Sequence, residues 1–395
     1  QLTCVIYLLI SILFLSPKIL SAQAKAPKIK VGAERTVDYL KIIKGKNVGI
    51  VANQSSLIGS THLVDSLMKL DVNLRKVFCP EHGFRGNADA GELVKNYKDS
   101  KTQLPVISLY GNSKKPQVKD LKGLQYIIFD LQDVGARFYT YISTLHYVME
   151  ACAENDIALI VLDRPNPNGF YVDGPVREDA FSSFVGMDPI PVVHGLTIGE
   201  YAKMCNGEGW LSNGKICALT VIPCANYSHS MYYDLPVPPS PNLPNMVSVY
   251  LYPSLCFFEG TKVSLGRGTD KPFQQIGHPK LPNTDYTFTP VSKPGASKNP
   301  PLMNQKCYGF DFSEYGEIMA KVERKINLFW LIETYKGFPD KEDFFIPYFN
   351  TLAGNATLKQ QIIDGKSEEE IRKSWQPALE NYKQIRKKYL LYTDF

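Results

Sequence analysis

The sequence predicts an α/β protein: a largely parallel sheet covered by helices on both faces, followed by a smaller α+β domain. Three observations predict it. Between residues 46 and 162, short apolar runs rich in β-branched residues alternate with helix-length stretches, the pattern of strands buried on both faces. Each run ends in a polar loop punctuated by Gly or Pro. And 395 residues is more than one typical domain needs, which favours two.

Residues 47–52 read as the first strand, and 61–69 as a helix with Leu63, Val64, Leu67 and Met68 on one stripe. Strands follow at 74–79, 104–109 and 126–129, then a helix at 143–154 and a fifth strand at 158–162. Thr197 and Glu200 have the spacing of a capping box that opens a short helix. Residues 235–244 carry five prolines and read as an extended, rigid boundary. Ser367 and Glu370 form a second capping box, ahead of Ile371 and Trp375. The divisions expected are a signal peptide at 1–24, a catalytic domain at 30–246 and an α+β domain at 247–395.

The first segment supports the export reading. Residues 5–15 are almost wholly apolar, too short a run to span a membrane, and Ala22-Gln23-Ala24 fits the small-residue cleavage rule. The mature chain is therefore expected outside the cytoplasm, periplasmic or secreted. Eight cysteines show no C-x-x-C spacing, and most lie in apolar surroundings where buried free thiols are expected. Cys217 and Cys224 are near enough in sequence for a bridge, on weak grounds.

Composition and motifs exclude several functions. A net charge of +5 spread over the chain is too thin for a nucleic-acid partner. The turn after the first strand is Asn53-Gln54-Ser55 and has no glycine until Gly59, so it lacks the fingerprint of a nucleotide cofactor site. Ser66-Leu-Met-Lys69 has S-x-x-K spacing, but no K-T-G accompanies it, and no nucleophile elbow exists. Six histidines lack metal-ligand spacing, so neither metal nor cofactor is expected.

The strand-end loops hold the candidates, because ligands of open α/β sheets bind outside the carboxyl ends of the strands. Glu81 follows Pro80 at the end of an apolar strand, where a carboxyl against apolar walls suits general acid chemistry. A structural cap, or a salt bridge to Arg85, reads that residue equally well. Asn53, His82, Arg85, Tyr110, Asp130, Asp133, Arg137, Tyr139, Asn166 and His194 sit on the same set of loops, and Glu259 and Arg267 lie further on. Asp130 and Asp133 could meet sugar hydroxyls or pair with Arg137. The Asn166 run is also a good turn, and His194 could be a satisfied structural histidine. Arg267, between Gly266 and Gly268, offers a fork for a carboxylate.

These residues carry a resemblance. Phe78-Cys-Pro-Glu-His-Gly-Phe-Arg-Gly86, Asp130-Leu-Gln-Asp-Val-Gly-Ala-Arg-Phe-Tyr-Thr-Tyr141, Asp163-Arg-Pro-Asn-Pro-Asn-Gly169, His194-Gly-Leu-Thr-Ile-Gly-Glu200 and Glu259-Gly-Thr with Gly266-Arg-Gly-Thr269 resemble the NamZ-type exo-β-N-acetylmuramidases. The likeness runs in order from about residue 35 to 395. Lys262 stands where the family pattern has Asn, and Gln103 where it has Gly. The resemblance implies a Rossmann-like N-terminal domain, a smaller C-terminal domain and a cleft between them. It also implies release of terminal N-acetylmuramic acid (MurNAc) from the non-reducing end of peptidoglycan fragments, with Glu81 as the catalytic glutamate. Arg267 would then read the lactyl carboxylate that distinguishes this sugar from N-acetylglucosamine (GlcNAc). The alternatives are a non-catalytic periplasmic glycan-binding protein, whose cleft would look the same, and a cell-wall esterase or amidase.

Overall fold

The computed structural model describes residues 27–81, 83–85, 96–111, 113–282 and 284–395, so the expected signal segment and His82 lie outside the described residues. Its centre is a seven-stranded sheet. In chain order the strands are β1 (Val48–Ala52), β2 (Leu74–Cys79), β3 (Tyr97–Lys98), β4 (Pro105–Ser108), β5 (Tyr126–Asp130), β6 (Ala158–Leu162) and, after a two-stranded ribbon of β7 (Asp173–Val176) and β8 (Pro191–Val193), β9 (Leu219–Ile222). The sheet order is β9-β6-β5-β1-β2-β4-β3, parallel throughout except for β3 at one edge. From β1 the chain builds outward through β2 to β4, then returns to lay β5 on the other side of β1. That reversal is a topological switch point, where open α/β sheets form a crevice.

All five residues of β1 are buried, as a central parallel strand requires. Successive side chains serve opposite faces. Ile50 joins a core with Tyr39 and Ile43 of helix α1 (Thr36–Ile43) and Leu63 and Leu67 of α2 (Leu63–Lys69). Val51 joins the other core, with Leu145 and Met149 of α3 (Tyr141–Glu154), a helix free of Gly and Pro. The expected strands and helices appear within a few residues of their anticipated ends. Residues 61–62 form a short strand ahead of α2, and β9 was not anticipated.

The second domain contributes helix α5 (Met246–Leu255) and a three-stranded antiparallel sheet from residues 275–278, 287–288 and 307–311. Its core is continuous with the α3 face of the parallel sheet, since one cluster runs from Val51 to Leu352 and Trp375. Both capping boxes are present. Thr197 opens α4 (Ile198–Gly207), and Ser367 opens the long α7 (Glu368–Lys387), two helices beyond α6 (Tyr348–Ala353). From α7 the chain returns to the first half: Arg372 pairs with Asp173 of β7 at 2.6 Å, Tyr382 donates to the His194 carbonyl at 2.7 Å, and Tyr392 reaches Asp163 at 2.5 Å. The described cysteines are all buried and unpaired, including Cys217 and Cys224.

Candidate active site

A cavity of about 500 Å³ opens at the carboxyl ends of β2 and β4, between the parallel sheet and the second domain. Strand register builds its catalytic corner. Cys79 of β2 lies opposite Ser108 of β4, and the Leu109 amide extends the ladder to the Cys79 carbonyl at 2.8 Å. Two residues beyond each paired position come Glu81 and Tyr110, which therefore emerge side by side. Tyr110 hydrogen-bonds Glu81, and its phenol is pushed up to about 12, by burial first and by the glutamate second.

Aromatic side chains form the walls. Phe138, Tyr139 and Tyr141 come from the segment leading into α3, Tyr252 from α5, Phe273 from the second domain, and Tyr348 from α6. Tyr139 donates to the Pro239 carbonyl at 2.8 Å, so the proline-rich run is held as one side of the cavity, and Ser240, Asn242 and Leu243 line it. Asn53 stands one bond behind. Its Nδ2 donates to the Tyr141 hydroxyl at 2.8 Å, while Oδ1 accepts from the Ser55 amide and hydroxyl at 2.9 and 2.6 Å.

Opposite lies an ion pair. Arg267 reaches Oε1 of Glu259 with Nε at 2.8 Å and Nη2 at 2.6 Å, and its guanidinium sits 4.9 Å from the centre of the Phe273 ring. Burial opposes the charge on Arg267, and Glu259 outweighs it, so the guanidinium holds its proton above the usual arginine range. The flanking glycines are required. Gly266 and Gly268 have φ of +75° and +80°, and a Cβ would meet the Lys271 carbonyl at 2.7 Å at the first and the Val291 carbonyl at 2.5 Å at the second.

Besides Asn53, six described residues expected at the site do not line this cavity. Arg85 turns to Asp99 at 2.9 Å and Asp65 at 3.6 Å, not to the glutamate four residues before it. Asp130 is fully buried and forked by Arg164, at 2.6 and 2.9 Å, in place of the Arg137 partner considered above. Arg137, also fully buried, donates to the carbonyls of Pro175, Ile190, Leu352 and Ala353 at 2.8–2.9 Å and so bolts the two domains together behind the cavity. Asp133 accepts from the Gly135 amide at 2.7 Å, with His194 Nε2 a further 3.7 Å away. His194 is wholly buried, and Asn166 closes its own turn, accepting from the Asn168 amide at 2.8 Å. Most of their polar atoms are engaged by backbone and buried charge, while Asp133 Oδ1, Arg137 Nε and His194 Nε2 find no hydrogen-bond partner among the described residues.

The neighbouring Asp163 is the most perturbed carboxyl of these loops. Burial raises it to about 6 against the bonds it accepts from Tyr392, Thr197 and Gly199. Elsewhere, His146, Asp188 and Cys205 bring metal-type ligand atoms within 4.8 Å of one another. Three donors there converge on one oxygen of Asp188: His146 Nδ1 at 3.0 Å, Cys205 Sγ at 3.6 Å and the Tyr201 hydroxyl. The arrangement is that of a buried carboxylate satisfied by hydrogen bonds, and a cation would have to displace them.

Sequence reasoning missed Lys114, Phe184, Asn242, Tyr252 and Tyr348, all of which line the cavity. Asn242 lies in the proline-rich run, where a polar residue in a rigid extended segment was an available signal; Tyr348 gave none.

Comparison with known proteins agrees with this geometry. Residues 48–247 match the family model described as the N-terminal domain of exo-beta-N-acetylmuramidase NamZ, and residues 250–392 match its C-terminal counterpart. The chain is 40% identical to the peptidoglycan beta-N-acetylmuramidase NamZ of Bacillus subtilis (strain 168), over 95% of this chain and 94% of that one. Two crystal structures of DUF1343 family proteins from Bacteroides fragilis NCTC 9343 superpose with TM-scores of 0.86 and 0.79, at 47% and 30% identity, each over 93% of this chain and the whole of the other.

Proposed function

The chain belongs to the NamZ family of exo-β-N-acetylmuramidases, and from that premise we propose that it removes terminal N-acetylmuramic acid from peptidoglycan fragments with Glu81 as the acid. The observation that carries the assignment is the position of Glu81, hydrogen-bonded by Tyr110 inside an aromatic-walled cavity. Breaking the glycosidic bond requires a proton on the leaving oxygen as the bond from C1 lengthens, and water then adds to C1. Aromatic faces suit the apolar faces of a pyranose ring, and the hydroxyls and amides between them suit its polar edges.

Glu81 and Glu259 are the carboxylates that line the cavity among the described residues. Glu259, oriented by its pair with Arg267, faces the sugar across the cavity from Glu81 in this reading. Tyr110, Tyr139 and the Glu259–Arg267 pair contact the glycan directly in this reading, and Asn53 acts through Tyr141. The substrates are MurNAc-containing oligosaccharides with a free non-reducing end. Export follows from the apolar run at 5–15 and from Ala22-Gln23-Ala24, and the domains are read as 30–246 and 247–395.

The test is release of a chromogenic aglycone from a MurNAc glycoside by purified protein, with oligosaccharides labelled at one end to report the direction of attack. Binding of glycan with no release would favour the glycan-binding alternative. N-terminal mass of protein recovered from a cell envelope tests cleavage after Ala24.

A further inference from the structure

We propose that Lys114 pairs with the lactyl carboxylate of the terminal N-acetylmuramic acid and so selects that sugar over N-acetylglucosamine; the proposal rests on the muramidase reading above. Among the described residues, the charged groups lining the cavity are Glu81, Glu259, Arg267 and Lys114. Arg267 turns Nε and Nη2 to Glu259, so that pair is neutral as a unit and its matching edge is already engaged. An anionic sugar entering beside two carboxylates needs a cation whose charge is not already matched. Lys114 is that cation: among the described residues no carboxylate lies within salt-bridge distance of it.

Its surroundings keep it available. The Lys114 ammonium lies 4.3 Å from the centre of the Phe184 ring, which is stacked on Tyr147 of α3 at 6.0 Å and 13°. A ring face attracts an ammonium without matching its charge, so the lysine is steered over the cavity and still has hydrogens to donate. The next residue fixes the direction. Lys115 bonds Glu150 and Glu154 of α3 at 3.0 and 2.7 Å, anchoring the segment from the other side. Two adjacent lysines thus diverge, one to a helix surface and one to the cavity. The lactyl ether is what MurNAc has and GlcNAc lacks, and its carboxylate is the group a lone ammonium would recognise. Arg267, to which the sequence assigned this task, keeps Glu259 in place.

The test is calorimetric binding of MurNAc and of GlcNAc to wild type, Lys114→Met and Lys114→Arg, with turnover of a chromogenic MurNAc glycoside measured beside it. Loss of one charge-assisted hydrogen bond should weaken MurNAc binding to Lys114→Met by about 10- to 100-fold, with GlcNAc affinity changed by less than about threefold, and Lys114→Arg should keep most of the preference. Salt should weaken MurNAc binding to wild type more than to Lys114→Met. A Lys114→Met variant with the wild-type MurNAc-to-GlcNAc ratio would overturn the proposal, and collapse of that ratio in Arg267→Met alone would hand the role to Arg267. Wild type that binds MurNAc but turns over no MurNAc glycoside would overturn the glycosidase reading, while the binding ratio would still judge Lys114. Wild type that binds neither sugar would overturn both.

Discussion

The loops after β2 and β4 and the loops after β5 and β6 look alike in sequence and their acids do opposite work, although the loop after β5 also sends Phe138 and Tyr139 to the cavity wall. Both sets follow buried parallel strands, and both carry acids, hydroxyls and turn residues. After β2 and β4, Glu81 and Tyr110 face a cavity. After β5 and β6, Asp130 meets Arg164 across adjacent strand ends, and Asp163 gathers Thr197, Gly199 and Tyr392. The difference is partnership. A buried charge must be matched, and where the neighbouring loop supplies the opposite charge, the pair closes on itself and becomes framework. At Glu81 the neighbouring loop supplies a tyrosine, and the carboxyl lines the cavity.

The strongest way to break this contrast is to replace Glu81. Glu81→Gln keeps shape and hydrogen bonding but cannot deliver a proton, so turnover of a MurNAc glycoside with a poor leaving group should fall by about 10²–10⁴, with thermal unfolding close to wild type. Near-native turnover would place Glu81 among the framework residues. On the other side, Asp130→Asn leaves the Arg164 guanidinium buried without its counter-charge and should destabilise by about 3–5 kcal/mol. Denaturant unfolding measures that loss, and kcat/KM per folded molecule should change little. Loss of activity with full stability would show that Asp130 reaches the substrate.

This contrast also explains what was readable in the sequence. The strands were legible because burial on both faces forces continuous apolar runs, and the helix starts because capping boxes are local. Glu81 stood out as a carboxyl after a proline at a strand end. Whether a loop residue faces inward depends on partners far along the chain. The Arg164 partner of Asp130 is 34 residues away, and two carbonyl acceptors of Arg137 are 215 and 216 away. Nothing local marks those meetings. Lys114 and Lys115 are the sharpest case, adjacent residues of one type with different destinations.

Asp163 sharpens the comparison through pH. Burial lifts its folded-state pKa to about 6, above the ordinary value near 3.8. A carboxyl raised on folding binds its proton more tightly in the native state, so its contribution is complete below about pH 4 and is lost as pH rises through 6. Asp163→Asn cannot titrate. The stability advantage of wild type over Asp163→Asn should therefore shrink by roughly 2 kcal/mol between about pH 4 and pH 6.5, measured by urea unfolding at each pH. An advantage that grows over that interval would mean that the hydroxyl donors around Asp163 outweigh its burial.

The finest test compares two tyrosines that each hydrogen-bond a strand-end carboxylate. Tyr110 bonds Glu81 in the cavity, and Tyr392 bonds Asp163 at 2.5 Å in the framework. Phenylalanine removes one hydroxyl in each case and leaves the ring. At Tyr392 the carboxylate is buried away from water, so a lost donor should cost about 1–3 kcal/mol of stability, with kcat and KM nearly unchanged. At Tyr110 the carboxyl borders an open cavity where water can replace the hydroxyl, so stability should change by less than about 0.5 kcal/mol. What water cannot replace is orientation, because proton transfer requires the acid to be held within hydrogen-bond reach of the leaving oxygen. Tyr110→Phe should therefore lower kcat by about 3- to 10-fold with a smaller effect on KM. Equal losses of stability in the two variants, or a Tyr392→Phe enzyme slower than Tyr110→Phe, would show that the two sets of loops are not separated by partnership.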